Sequence, residues 1–304
     1  MTKQIHNEVY DKKRLIAVLK KQISHLDEDK ITWYNDGWDF VVAVIDCQAF
    51  RFPRRKEYEM KLPSEVSFVK QFAVHSPIAI PKLELHNDAA IGNYASYIFL
   101  QGVEFKKAVA KSFSIDNRLH IAQRLGSFLS ALHSFPVDEA KRIGITEENV
   151  SQSWTDRFEN IKKIVFRHLN SNELDWTIHL FTDFLQLITE HPVQTVVTHS
   201  DIAPEHIIVN SDDQTLSGVI DFGDINITDP AYDFAFLNKY GKDFLKETYG
   251  AYTPPRDPYF EKRRQFYEDR LVVTNLEHSV KVGEKFWLEK HKKELEEYMK
   301  SALL

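Results

Sequence analysis

Hydrophobic spacing divides the chain into a first third that alternates like a sheet and a remainder that repeats like helices. Over residues 6–25, apolar Val9, Leu15, Ile16, Val18, Leu19 and Ile23, followed by Leu26, recur at mixed three- and four-residue steps, which predicts a helix. Aromatic and β-branched runs come next. ITWY (31–34), FVVAVI (40–45) and QAFRF (48–52), separated by turn-like NDG (35–37) and DC (46–47), predict three strands. Pro63-Ser64-Glu65 is expected to open a helix through Val66, Phe68, Val69 and Phe72, with Ser64 as its cap. IAIPKLEL (78–85) and YASYIFL (94–100) read as further strands.

From about residue 103 the pattern becomes helical. Ile121, Leu125, Phe128, Leu129 and Leu132 form one apolar stripe, whose ordinary explanation is core packing, and a second helical region covers 152–190. TVVTHS (195–200), HIIV (206–209) and LSGVIDF (216–222) return briefly to strand character, with SDDQ (211–214) as a turn, before helices resume over 230–301. The expected fold is therefore α+β: a strand-rich first lobe and a helical second lobe that holds one small hairpin.

Composition narrows the function classes. With 304 residues and 43% hydrophobic content the chain can bury two lobes' worth of core, and 45 acidic against 39 basic residues argue against a general nucleic-acid surface. A cationic or neutral small-molecule partner fits that balance better. Cys47 is the single cysteine, which excludes an intramolecular disulfide framework and a thiolate metal cluster and suggests a reducing compartment. Charges interrupt every apolar run before membrane-spanning length, and no signal-peptide pattern opens the chain. A cytoplasmic monomer with no membrane or nucleic-acid partner is expected.

Chemistry concentrates in HSDIAPEHIIVNSDDQTLSGVIDFGD. Asp201 lies in a proline-bearing loop, His206 follows five residues later at the start of a strand, and Asp221 comes fifteen after that, beyond the hairpin's return strand. A hairpin brings its ends together, so the three can converge, and two carboxylates with an imidazole suit a divalent ion plus an acid or base. Taken singly, each could be a turn-capping Asp or a packed His. Their order favours a site.

That order resembles the antibiotic kinases, the aminoglycoside and macrolide phosphotransferases, whose loop commonly reads His-Gly-Asp with a downstream Asn or His. Here it reads His199-Ser200-Asp201, with Ser200 in place of glycine, and DPAYDFA (229–235) resembles the family's later Asp-Pro-x-x-Asp. The resemblance implies a bilobal protein-kinase-like fold, with a nucleotide-binding lobe over 1–101 and a catalytic, substrate-binding lobe over 102–304. It implies that Asp201 orients or deprotonates an acceptor hydroxyl, while His206 and Asp221 hold Mg²⁺ against the phosphates of GTP or ATP. It also puts Arg51 where kinases carry the strand lysine, with Glu65 as its helix partner. Gly37 of NDGWDF falls in the phosphate-covering turn, although no G-x-G-x-x-G is present, and Phe99 and Gln101 fall in the hinge beside the base.

For the acceptor, GWDF and AFRFPRR are similar to macrolide 2′-phosphotransferases, which implies transfer to an amino-sugar 2′-hydroxyl and antibiotic inactivation. HSDIAPEHIIV and IDFGD also resemble aminoglycoside 2″-phosphotransferases. A macrolide would want broad apolar walls and an aminoglycoside a dense acidic cleft. Residues 258–290 mix Phe260, Phe266, Tyr267, Leu271, Val272, Val273, Phe286 and Trp287 with Glu268, Asp269 and Glu277, which leaves pocket and core unseparated there. Other readings are a kinase for another small alcohol such as choline and, in a different class, a nucleotide-binding pseudokinase-like module, which Arg51 and the missing glycine loop keep open.

Overall fold

The computed structural model describes residues 12–302 apart from Asp36, Trp38 and Glu284. It has the expected bilobal α+β architecture. Five antiparallel strands, β1 (Thr32–Tyr34), β2 (Phe40–Ile45), β3 (Gln48–Pro53), β4 (Glu84–Asp88) and β5 (Gly92–Ile98), form one sheet in the order β1-β2-β3-β5-β4. Alternation along them separates two environments. Val41, Ala43, Ile45, Phe50 and Phe52 face helix α1 (Lys12–Gln22) through Leu15, Val18 and Leu19. Arg51, between Phe50 and Phe52, therefore points to the other face, against helix α2 (Lys56–Phe72). The expected helix over 6–25 is seen as α1; its first positions, Val9 included, lie outside the described residues.

Three boundaries differ from expectation. Helix α2 starts at Lys56, with Arg55 at its N-cap, so Pro63 and Ser64 are interior and Ser64 caps nothing. Pro63 removes one backbone hydrogen bond, but burial of Leu62, Glu65, Val66, Val69 and Phe72 along one helical stripe holds the segment together. The strand expected over 78–85 is seen only from Glu84. Pro77 and Pro81 cannot donate to a ladder, so Ile78, Ile80 and Leu83 are buried from an irregular segment. The chain beyond 103 begins with a short strand, β6 (Val103–Glu104), before it turns helical.

The second lobe follows as α3 (Lys107–Ser112), α4 (Ile115–His133), α5 (Val137–Ile143), α6 (Val150–Ile164) and α7 (Ser171–Glu190). Then come strands β7 (Val196–Thr198), β8 (Ile207–Asn210), β9 (Thr215–Val219) and β10 (Asn226–Thr228), and helices α8 (Lys242–Ala251), α9 (Phe260–Val282) and α10 (Lys285–Ala302). The apolar stripe of α4 is core, as expected, and α4 lies directly on α8. A Cβ at Gly126 would stand 2.3 Å from the Thr248 carbonyl oxygen, so only glycine lets these helices approach so closely. Strands β8 and β9 form the expected hairpin, with β6 added to its edge, while β7 pairs with β10. No helix among the described residues is long and apolar enough to cross a membrane.

Candidate active site

The loop after β7 turns on an uncommon backbone. Ser200 has φ 66° and Asp221 φ 65°, a left-handed conformation that costs any side chain some strain. Glycine in the resembled His-Gly-Asp motif would sit at Ser200 without that cost. Asp233 supports the loop from below: its carboxylate accepts the His199 N–H at 2.8 Å and the Ser200 N–H at 2.7 Å, and it lies 3.0 Å from His133 Nε2. The other ring nitrogen of His133 is 2.8 Å from the Tyr252 hydroxyl. Asp233 is part of DPAYDFA, but nothing in its spacing showed that its side chain reaches back over thirty residues.

His199 is a fully buried structural histidine. Its Nδ1 accepts the Asp201 N–H at 3.3 Å and its Nε2 lies 3.1 Å from the Ile220 carbonyl oxygen, which selects the Nε2–H tautomer. Burial pushes its pKa down against the pull of Asp233, so the ring stays neutral. His206 is arranged in the opposite sense. Nδ1 donates to the Asp201 carbonyl oxygen at 2.9 Å and also lies 3.2 Å from the Asp201 carboxylate, while Nε2 faces Asp221 Oδ2 at 3.6 Å. Burial opposes its charge, but Asp201 and Asp221 outweigh burial and push its pKa up to about 9.

Across the cleft, Arg51 spans two carboxylates. One guanidinium nitrogen donates to Glu65 and another to Asp221 Oδ1 at 2.6 Å, and the group stacks 3.7 Å from the Phe40 ring centroid. Burial works against the arginine's charge and Glu65 and Asp221 overcome it, so its pKa is raised. Burial pushes Glu65 up despite Arg51. Burial acts the same way on Asp221, but Arg51 and His206 pull that carboxyl below its usual range. The structure thus brings together Asp201, His206, Asp221, Arg51 and Glu65.

Gly37, Phe99 and Gln101 lie apart from this cluster. The Gly37 carbonyl accepts from Arg54 Nε at 2.9 Å, and Arg54 also donates to the Asn35 carbonyl at 2.6 Å, which ties the β1–β2 turn to the end of β3. Neighbouring Asp36 and Trp38 of that turn are outside the described residues. Phe99 donates its N–H to the Cys47 carbonyl at 2.8 Å and stacks on Tyr34 at 6.1 Å between centroids, and exposed Gln101 precedes the crossing into the second lobe. There Gly102 has φ 143°, and a Cβ would meet the Val209 carbonyl oxygen at 2.5 Å.

Among the described residues no three His, Cys, Asp or Glu side chains form a metal cage. The donors at hand are the Asp221 carboxylate, whose side chain is 42% exposed, and His206 Nε2 once it gives up its proton. A sparse set with an open side fits Mg²⁺, which keeps waters and is completed by substrate phosphates. The imidazole is softer than magnesium's usual partners.

A cavity of about 660 Å³ opens beside Ser200. Its walls carry four carboxylates, Glu148, Asp156, Asp224 and Glu277, two cations, Arg157 and Lys281, and two aromatic rings, Trp154 and Tyr232. Glu277 is already held by Asn160 at 2.6 Å, Lys281 at 2.7 Å and Arg157 at 3.3 Å. Asp224 is not: burial, with Asp201, Asp39 and Asp221 nearby, pushes its pKa up to about 6. Asn226, also in the lining, has a buried Oδ1 with no hydrogen-bond partner among the described residues. Of these wall residues, Asp224 ends IDFGD, Tyr232 belongs to DPAYDFA and Glu277 falls in the mixed 258–290 stretch; the others carry no pattern legible in sequence. Apolar residues of 258–290 went elsewhere: Phe260, Phe266, Tyr267 and Val273 are core, and Phe286 is 68% exposed.

Comparison with known proteins agrees with this geometry. Residues 30–266 match the model of the phosphotransferase enzyme family. The wild-type aminoglycoside 2′-phosphotransferase-IIIa, solved as its GDP complex, superposes with a TM-score of 0.86 at 20% identity, over 96% of this chain and 99% of that one. The GDP and kanamycin complex of APH(2″)-IIIa gives 0.86 at 20% identity, over 95% and 99%. Macrolide 2′-phosphotransferase MphH from Brachybacterium faecium, as apoenzyme, gives 0.70 at 18% identity, over 91% and 96%. With two lobes and a family match over most of its length, the chain belongs to the phosphotransferase enzyme family.

Proposed function

We propose that the protein transfers the γ-phosphoryl group of a purine nucleoside triphosphate to a hydroxyl of a cationic amino-sugar antibiotic of the aminoglycoside class. The observation that carries this reading is that Asp201 contacts His206 of the Arg51–Asp221–His206 cluster and directly follows Ser200, a wall residue of the carboxylate-lined cavity. Asp201 accepts or orients the acceptor proton. The hydroxyl oxygen then forms its bond to γ-phosphorus as the bond to the β,γ-bridging oxygen breaks, and the nucleoside diphosphate leaves. Arg51, braced by Glu65, steadies the phosphates bidentately. His206 and Asp221 would hold Mg²⁺, which when bound neutralises phosphate charge. Gly37 lies in the turn over the phosphates, and Phe99 and Gln101 present hinge backbone to the base.

GTP is the favoured donor, supported by relatives solved with GDP; ATP is the alternative. The lobes are taken to divide at Gln101–Gly102, in a cytoplasmic monomer. Macrolide phosphorylation is the second reading, favoured by the GWDF and AFRFPRR runs. It asks for broad apolar walls, whereas this cavity offers two aromatic rings among four carboxylates.

The test is product mass after incubation with magnesium, GTP or ATP, and kanamycin, gentamicin, erythromycin or choline. Addition of one phosphate to kanamycin or gentamicin is expected. Phosphorylation of erythromycin alone would replace the aminoglycoside reading with the macrolide one, and nucleotide binding without any product would favour a binding module.

A further inference from the structure

Helix α9 crosses behind the acceptor cavity and buries three arginines, which are treated unequally. Arg263 donates to Asp229 at 2.7 Å and grips both oxygens of Asp257, at 2.9 and 2.7 Å. Arg264 donates to Glu261 at 2.8 Å and Glu268 at 2.5 Å. Arg270, two turns on and 4% exposed, forms no ion pair among the described residues, and its Nε is buried without a hydrogen-bond partner. Burial pulls its pKa down, and Arg157 pulls the same way. A buried charge without a counterion is destabilising, so the position is costly to the fold.

What Arg270 does touch is specific. Its guanidinium lies 4.9 Å from the Trp154 ring centroid and 4.7 Å from that of Tyr232, and one of its nitrogens donates to the Tyr232 hydroxyl. Trp154 and Tyr232 are the two aromatic walls of the cavity, and they come from α6 and from the turn after β10. The cation thus contacts two rings that have no covalent or ladder connection to each other and otherwise meet through Tyr267, whose ring lies 5.7 Å from Trp154 and 4.9 Å from Tyr232. Stacking against both faces, with one directed hydrogen bond, sets their separation in a way an aliphatic side chain would not.

We infer that Arg270 is a positioning residue for acceptor binding, holding Trp154 and Tyr232 at the spacing the acceptor's ring system requires, at a cost in stability. The inference rests on the cavity being the acceptor site. A residue kept for stability and one kept for the pocket differ in sign here. Removing an unpaired buried charge while keeping its bulk should not destabilise the fold, yet it should loosen the walls.

The experiment compares wild type with Arg270→Met and Arg270→Lys. Steady-state kinetics use kanamycin, or whichever acceptor of the panel the wild type phosphorylates, alongside thermal melting and the indole N–H resonance of Trp154, assigned with Trp154→Phe. For Arg270→Met the acceptor KM is expected to rise about tenfold, with kcat and the nucleotide KM within about twofold. The melting temperature should not fall, and the Trp154 resonance should shift or broaden. Arg270→Lys, which keeps the charge but loses the planar fork, should fall between the two. An unmoved Trp154 resonance would overturn the inference, as would a lowered melting temperature with kcat and both KM values worsening together. If Arg270→Met does not fold, the inference is overturned as stated for stability, and the acceptor KM and the resonance of Arg270→Lys decide the positioning role. A wild type that phosphorylates no acceptor would refute the functional reading, and the resonance and melting readouts would still decide whether Arg270 braces the rings.

Discussion

The two sides of Asp201 are built by different means. On the proposed phosphate side, charges are paired in advance: Arg51 binds Glu65 and Asp221, and His206 sits between Asp201 and Asp221. On the proposed acceptor side two polar groups, Asp224 and the Asn226 side-chain oxygen, have no hydrogen-bond partner among the described residues. A triphosphate has the same charges whatever the acceptor, so a rigid, pre-paired cluster suits it. An acceptor pocket gains selectivity from groups that find partners only when the right ligand arrives.

The largest effect that tests this division is expected at the divide itself. Asp201→Ala should lower kcat by about 10²–10⁴, the range for loss of a positioned base, and leave nucleotide affinity within about twofold. Stopped-flow nucleotide titration beside single-turnover transfer measures both, and transfer at the wild-type rate would remove Asp201 from the mechanism.

Next is the paired side. Arg51→Met strands the buried Glu65 carboxylate and should cost about 3–5 kcal/mol in denaturant melts, with Arg51→Met/Glu65→Leu recovering most of it. In Arg51→Met, Glu65 loses the partner that opposes its upward shift, so its folded pKa lies further above the unfolded value. The folded variant therefore holds the proton more tightly than the unfolded chain, and its stability should be greatest at acid pH and fall as pH rises through the folded pKa. A deficit that does not change with pH would mean Glu65 is not the stranded group.

Asp233→Asn should be milder. The amide keeps one acceptor oxygen where the carboxylate serves His199, Ser200 and His133, so at least one donor loses its partner, worth about 1–3 kcal/mol. A fall in kcat with little change in acceptor KM would mark a slackened catalytic loop.

The smallest effect is expected at Asp224. Its folded pKa of about 6 is above the usual carboxylate value, so it favours folding below the unfolded pKa and loses that contribution as pH rises through about 6. Asp224→Asn should raise the melting temperature slightly at pH 8 and not at pH 4, because the side chain opens to the cavity and solvent screens much of the repulsion. The same variant should weaken binding of a polycationic acceptor; unchanged affinity for kanamycin would move the cation site elsewhere in the pocket.

Much of the paired side was legible because it is local. Asp201, His206 and Asp221 span one loop and one hairpin, and a hairpin returns its ends to each other whatever surrounds it. The pairing of Arg51 with Glu65 came from the resemblance to kinases, and strand alternation with the helix after it lets the two meet, even though the start of α2 was misplaced by reading Pro63 as a helix opening. Ser200 and Asp221 in left-handed backbone, Asp233 reaching the loop from the next segment, and the neutral tautomer of His199 were not legible, since each depends on groups brought near only by folding.

From sequence alone came the α+β division, most of the order of strands and helices and the convergence of Asp201, His206 and Asp221 about one hairpin, because period, turn chemistry and motif spacing act over a few neighbours. Tertiary structure alone decided the acceptor side. Glu148, Trp154, Asp224, Tyr232 and Glu277 come from separate segments, and whether an aromatic of α9 became wall or core depended on which helix packed against it. The same packing decided that Arg263 and Arg264 would find carboxylates and that Arg270 would find two rings. Three arginines within eight residues look alike in a sequence, and the field each one feels is set by the elements packed around it.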